Sequence, residues 1–424
     1  MSVEALAGAE SAAVDTTDLI GEAITRSPYE YLAQLRETSP VHWNDRHRAW
    51  VVTRYADVQA GFRDARLASN RLKHYREKRI KDEEQATIGR TLRILESWMV
   101  FQDNPEHKRL RSVVHRAFTM QTVAALEQDI RTLVQQQSKR LMARLAAEPT
   151  RPVDLLNEMA YEIPGPIICK MLGVPAQDRE KFVEWSEQIS SLIGGFVDDS
   201  DRYQRAHAAV TALETYLTDI IEKTSGTEDN LMARLVQAEA DGEKLTRDEA
   251  IATGILILFG GNRTTSCMIA NGLRALMLHP EQQQILRDSP ELLSPAVEEI
   301  MRWEPHTKFT VRVVGEDFEW HGKHLKVGQR VFLSPLAANH DPAMFSEPGV
   351  FDIKRPNAPR HLSFGTGVHV CLGISLARLE LRVVFEEMLK IMPQLQLVDA
   401  KSEWMPTLIN RVQRQLLVTA KPRH

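Results

Sequence analysis

A mainly α-helical fold with a minor β portion is what this 424-residue sequence predicts. Three observations carry it. Apolar residues recur at three- and four-residue spacing through most of the stretch from Tyr55 to about Asp248. A capped apolar run opens at Thr246 and meets no stop signal before His279-Pro280. Short β-branched and aromatic runs between turn formers are confined to 40–53, 309–333 and 416–418.

In chain order, residues 1–25 are a polar tail that need not be ordered. Tyr29, Leu32 and Leu35 mark a first helix. Val41-His42-Trp43 and Trp50-Val51-Val52-Thr53 flank a turn at Asn44-Asp45 and predict a hairpin. Helices are expected over 123–147, 179–193 and 201–223. Thr246-Arg247-Asp248-Glu249 is a capping box, a hydroxyl followed three residues later by a glutamate. The helix it starts would be about 50 Å long. Helices resume at Pro280 and Leu293. Phe309-Thr310-Val311, Phe318-Glu319-Trp320 and Val331-Phe332-Leu333 read as strands, with turns at Gly322 and Gly328. A helix follows Gly373 over 374–390, and Leu416-Leu417-Val418 reads as a closing strand.

Composition excludes several classes. Lys plus Arg number 53 against 57 Asp plus Glu, so the chain lacks the basic surplus of a dedicated nucleic-acid binder. Hydrophobic residues at 43% and charged ones at 26% are ordinary for a globular protein, not for a collagen-like or disordered chain. Cys169, Cys267 and Cys371 are far apart, with no CxxC, which predicts a reducing compartment rather than a disulfide scaffold. Residues 1–17 lack the basic flank and apolar stretch of a signal peptide, so a cytoplasmic location is expected. The most apolar run, Ile251 to Leu258, falls well short of the ~20 residues a membrane helix needs.

Phe364-Gly365-Thr366-Gly367-Val368-His369-Val370-Cys371-Leu372-Gly373 is the most informative stretch. Its glycines imply a tight backbone path, and Cys371 precedes a helix whose dipole would favour a thiolate. The plain alternative is a buried cysteine beside a glycine turn. Phe seven before, Gly four before, His two before and Gly two after Cys371 resemble the haem-ligand loop of the cytochrome P-450 family. The resemblance runs from about Tyr29 to Val418. It implies one catalytic domain over 26–424, an α-rich lobe with a small β-rich lobe, and a long central helix over haem b. It implies that Cys371 is the axial thiolate, which favours O–O cleavage. Phe364 would shield the sulfur, and His369 would contact a haem propionate.

Other segments take their meaning from the same resemblance. His107 and Arg111 share a helix face and, with Arg312, match the family's propionate-binding cations. Read alone, they are a partly exposed cationic stripe. Glu299 and Arg302 are three apart, a pair that alone reads as solvated. With Arg355 they resemble a buried structural cluster behind the haem. Cys169 and Cys267 read as plain core residues.

The long helix reads Leu258-Phe259-Gly260-Gly261-Asn262-Arg263-Thr264-Thr265. Interior glycines cost roughly 1 kcal/mol each, so they need a reason. The reason offered is a groove at the oxygen site. Asn262 and Thr264 fit the family's oxygen-activating pattern, with Gly260 beside the haem. Arg263, however, stands where the family places a proton-relaying acid, and a guanidinium stays protonated. Three readings stand. Arg263 points outward while Thr264 organises the proton path; Arg263 anchors a substrate carboxylate, as in a peroxide-using branch that lacks the threonine; or the chain activates oxygen weakly.

By resemblance, Leu256, Phe259, Gly260, Thr307, Lys308, Leu408 and Ile409 line a mostly apolar substrate cavity. Lys308 is read as snorkelling to solvent or meeting a carboxylate, with an anionic substrate as the alternative. Arg71, Lys73, Arg76, Lys78, Arg79 and Lys81 form a basic run, balanced at once by Asp82, Glu83 and Glu84. A solvated helix face explains it, with steering of acids to the pocket mouth as the alternative.

The activity implied is monooxygenation of a small organic molecule. No GxGxxG or P-loop offers a nucleotide site, so electrons would come from a ferredoxin and its NAD(P)H-dependent reductase. Lys108, Arg109, Arg116 and Lys354 would meet the acidic carrier near Cys371. A monomer is expected, without nucleic-acid or membrane partners. Rival functions are a peroxygenase and a haem-binding sensor without turnover.

Overall fold

The computed structural model describes residues 18–73, 82–193, 201–223, 230–240 and 242–421. Its longest element is the helix Arg247–Leu278, capped as expected. Thr246 Oγ1 accepts the Glu249 N–H (3.2 Å) and Glu249 Oε2 accepts the Thr246 N–H (2.9 Å). Burial extends around most of this helix, as a rod through the core requires. It packs against Pro164–Leu172, Arg179–Ile193 and Ile374–Met388. Two of its glycines are needed for that contact. A Cβ at Gly261 would run into the Ile168 side chain, and one at Gly272 into the Phe385 ring.

The β portion is mainly one mixed five-stranded sheet. Its order is Val41–Asn44, Ala49–Val52, Arg330–Leu333, Thr310–Val314, Leu67–Ala68. The first two strands form the expected hairpin, with Trp43 opposite Trp50. Arg330–Leu333 runs parallel to Ala49–Val52 and antiparallel to Thr310–Val314, setting Val331 opposite Arg312. Because strand side chains alternate, Thr310 and Arg312 share one face. That face meets the functional cavity, while Val311 joins a separate core with Phe309 and Phe332.

Three expectations need correction. Residues 18–25 are not tail: Leu19 and Ile24 are buried with Val51 and Phe309, and Glu22–Arg26 is helical. Residues 1–17 lie outside the described residues. The single helix over 123–147 is two, Met120–Ala124 and Glu127–Ala147. The break lets both Val123 and Leu126 bury. Periodicity also missed strands of two or three residues, such as Val153–Asp154 and Leu395–Leu397, which flank Leu417–Ala420. Among the described residues no helix is long and apolar enough to cross a membrane.

Candidate active site

A cavity of about 380 Å³ lies between the long helix and the 364–373 loop. From the helix it receives Leu256, Ile257, Gly260, Gly261, Thr264, Thr265 and Met268. That spacing is one helical face. Phe259, Asn262 and Arg263 fall off it. Phe259 lies tilted against Trp98, with ring centroids 5.2 Å apart. Asn262 is buried beside Gly165. A Cβ on Gly260 would meet nothing within 4 Å, so this glycine opens onto the cavity while Gly261 serves packing. Thr264 Oγ1 donates to the Gly260 carbonyl at 2.5 Å.

Arg263 turns away from the cavity. Its guanidinium donates to Glu187 Oε1 at 3.3 Å and lies 5.1 Å from the Tyr161 ring centroid. Of the three readings, the outward one agrees with this geometry. The helix Arg179–Ile193 supplies Glu187, so the pair ties it to the long helix.

The cysteine loop is built by local geometry. Gly365 and Gly367 have φ of 67° and 76°, a left-handed region that costs side-chained residues energy. The Cys371 N–H then donates to the Phe364 carbonyl at 2.9 Å. Cys371 lines the cavity, but the expected thiolate bias is overruled in the protein alone. Burial pushes the thiol up, and the Gly373 N–H and Arg111 pull it down by less. Burial likewise pushes Cys169 up to about 12 and Cys267 to about 11, as befits core thiols.

The cationic groups converge on the same cavity. His107 and Arg111 reach it from the helix Glu106–Ala117, Arg312 from its strand, and His369 from the cysteine loop. The His107 and His369 rings are 4.1 Å apart, and Ser69 Oγ sits 3.0 Å from His369 Nε2. Burial, then His107, Arg312 and Arg111, push His369 down to about 3. Burial pushes Arg312 down to about 10 and lowers Arg111. No ion pair to a carboxylate is made by Arg111 or Arg312 among the described residues. Arg312 Nη1 instead donates to the Val311 carbonyl (3.2 Å), which Arg71 Nη1 shares (3.1 Å). Buried unpaired cations are expensive, so this cavity is built for an apolar body with acidic groups. Haem b has that character: a flat apolar macrocycle, two propionates and an iron that takes a thiolate. The residues fit it.

The structural cluster is buried. Arg302 grips Glu299 with two bonds of 2.7 Å, and Arg355 Nε approaches the same carboxylate at 3.3 Å. The solvated reading of that pair fails because both side chains are fully enclosed.

Among the substrate residues expected, Leu256, Gly260 and Thr307 line the cavity, while Phe259, Lys308, Leu408 and Ile409 do not. Lys308 neither snorkels nor finds a carboxylate within ion-pair distance among the described residues. It is 2% exposed, and burial, then Arg411, push its ammonium down to about 7. Arg71 lies against Phe101 rather than on a solvated face, and Arg76, Lys78, Arg79 and Lys81 lie outside the described residues. Arg109 is held by Glu106 and Glu249. Among the titratable lining residues, Glu380 was not singled out from sequence, and His306 entered only as a member of the segment 305–309 expected to line substrate. Glu380 was findable as an acid one turn beyond Leu376, on the apolar face of its helix. His306 gave no periodic signal.

Comparison with known proteins agrees with this geometry. The family profile described as Cytochrome P450 matches residues 47–392. The vitamin D(3) 25-hydroxylase of Pseudonocardia autotrophica is 35% identical over 96% of this chain and 97% of its own. The methyl-branched lipid omega-hydroxylase of Mycobacterium bovis is 35% identical over 74% of this chain and 73% of its own. The crystal structure of P450BioI with hexadec-9Z-enoic acid-ligated acyl carrier protein superposes with a TM-score of 0.84 at 30% identity, covering 94% of this chain and 99% of that one.

Proposed function

The chain belongs to the cytochrome P450 family, and we propose that it hydroxylates an apolar, lipid-like molecule with electrons from a ferredoxin. Family membership makes it a monooxygenase with haem b on an axial cysteine thiolate. Cys371 is the cysteine we assign to the iron. The observation that carries the assignment is that this thiol shares its cavity with Arg111 and Arg312, which make no ion pair among the described residues.

When bound, the haem supplies dioxygen activation, and the thiolate supplies electron density. The protein does the rest. His107, Arg111, Arg312 and His369 hold the propionates, and Phe364 covers the thiolate side. Thr264 fixes its hydroxyl proton on the Gly260 carbonyl, which leaves oxygen lone pairs to accept from water. In this reading Thr264 Oγ1 would accept a hydrogen bond from a water in the cavity, and Arg263, turned toward Glu187, takes no part. Leu256, Ile257 and Met268 present apolar surface to the substrate.

The apolar lining supports a lipid-like substrate, and so do the names of the vitamin D(3), methyl-branched lipid and acyl-chain relatives. Support for a ferredoxin comes from the face beside the cysteine loop. Met120 and Val368 expose apolar side chains there, and Lys108, Arg116 and Lys354, the cations expected to meet the carrier, are exposed without ion pairs among the described residues. A mixed basic and apolar patch suits an acidic carrier.

The test has two arms. Cys371→Ala should abolish the long-wavelength Soret band of the reduced carbon monoxide complex; its retention rejects the assignment. Oxidation of a lipid panel is then compared under ferredoxin, reductase and NADPH or under hydrogen peroxide alone. Turnover with hydrogen peroxide but none with ferredoxin, reductase and NADPH would replace the proposal with a peroxygenase.

A further inference from the structure

Phe364 is flanked by polar groups that haem binding leaves unexplained. The Arg378 guanidinium lies 5.4 Å from the Phe364 ring centroid, and the His361 ring centroid lies 5.7 Å from it. Both groups converge on one carboxylate. Arg378 Nε and Nη2 donate to the two oxygens of Glu298, each at 2.7 Å, and His361 Nε2 lies 3.4 Å from Glu298 Oε2. His361 Nδ1 accepts the Ser363 N–H at 3.2 Å, which leaves the ring proton on Nε2, the nitrogen beside Glu298.

Three separate elements meet here. Glu298 belongs to the helix Leu293–Trp303, Arg378 to Ile374–Met388, and His361 to the segment entering the cysteine loop. The His361 and Glu298 side chains are 1% and 11% exposed, whereas Arg378 reaches the surface. Burial pushes the Glu298 carboxyl up, but His361 and Arg378 outweigh it and hold it at about 2, so it is a carboxylate at neutral pH. Taking ions out of water is expensive, and well-packed apolar residues of similar volume are often as stable. Stability alone therefore gives no reason for a forked ion pair beside an aromatic ring. A bidentate pair does fix direction as well as distance. The ring beside it belongs to the residue whose carbonyl accepts the Cys371 N–H at 2.9 Å, and Phe364 and Cys371 both line the cavity.

Given the haem-thiolate reading above, on which this rests, we propose that Glu298, Arg378 and His361 are positioning residues that hold the Phe364 ring beside Cys371 and thereby set how strongly the sulfur donates to iron. Solvent access and hydrogen bonds to sulfur both tune a thiolate-ligated iron. A fixed apolar ring excludes water and donors from the sulfur. A loosened ring admits them, weakens the donation and favours iron(II).

The test is the midpoint potential of the iron(III)/iron(II) couple, measured by spectroelectrochemical titration of the holoprotein. Wild type is compared with Glu298→Gln, Arg378→Gln and Phe364→Leu, and with each of the first two combined with Phe364→Leu. Each single variant should shift the equilibrium at least about three-fold toward iron(II), ~28 mV at 59 mV per decade for one electron. Glu298→Asp, which keeps the charge, should recover part of the shift. In the Phe364→Leu background the Glu298 and Arg378 changes should add less than three-fold. Arg378→Lys, which keeps the cation but not the fork, replaces either cluster variant that does not hold haem. Shifts below three-fold in the cluster variants, a shift toward iron(III), or an effect that persists undiminished in the Phe364→Leu background overturns the proposal. The reduced carbon monoxide spectrum is recorded alongside. An intact long-wavelength band with unmoved potentials rejects the positioning role and leaves the haem-thiolate reading standing; absence of that band from wild type removes the reading itself.

Discussion

Replacing Lys308 by Met should stabilise this protein, and by an amount that depends on pH in a defined way. The ammonium is enclosed without a carboxylate, and its pKa is pushed down from 10.5 to about 7. Between those values the unfolded chain binds more protons than the folded one, so this residue's contribution to stability rises with pH across that window. Below pH 7 the penalty is level; above 10.5 it is gone. With ~1.36 kcal/mol per pH unit, the burden is about 4 kcal/mol at pH 7 and about 1.4 kcal/mol at pH 9.5. Met keeps the unbranched stem and removes the charge. Urea unfolding followed by tryptophan fluorescence at both pH values gives the comparison. The variant should gain a few kcal/mol at pH 7 and clearly less at pH 9.5. A variant less stable than wild type at pH 7, or a difference that ignores pH, refutes the reasoning.

Gly261→Ala should destabilise by about 1–3 kcal/mol, because its methyl meets Ile168, whereas Gly260→Ala should fold normally and shrink the cavity; thermal melts and ligand titration separate the two. Glu299→Gln should lose roughly 3–5 kcal/mol, since it leaves Arg302 and Arg355 buried with one carboxylate fewer, and a denaturant midpoint near wild type would count against it. Arg111→Ala and Arg312→Ala should release haem faster to apomyoglobin, and unchanged release with weakened substrate binding would reassign both. Arg263→Ala should keep ferredoxin-driven turnover within a few-fold, while Thr264→Ala should divert reducing equivalents to peroxide, read as NADPH used per product.

What the sequence reveals and hides follows the range of the interactions. The Thr246 capping box and the glycine-framed Cys371 loop are decided by residues within ten positions, so both were legible. The convergence of His107, Arg111 and Arg312 came only through resemblance, since their segments lie two hundred residues apart. The direction of Arg263 was half legible. If Gly260 and Thr264 share the cavity face, residue 263 lies about 100° around the helix. What it meets there, Glu187, belongs to another helix and leaves no local trace. Lys308 was misjudged for the same reason: the loop that covers it, pairing through the Ile409 carbonyl, comes from a hundred residues later.

The tie between Arg263 and Glu187 bears on how this protein can change. Placing an acid at 263 alone would face Glu187 with a like charge and remove the cation lying over Tyr161. The two positions are therefore coupled, and a conventional acid is reachable only through a paired exchange with a basic residue at 187. Either single step loses an inter-helix fastening before any chemical advantage can appear, so the arginine is locked in by its neighbour.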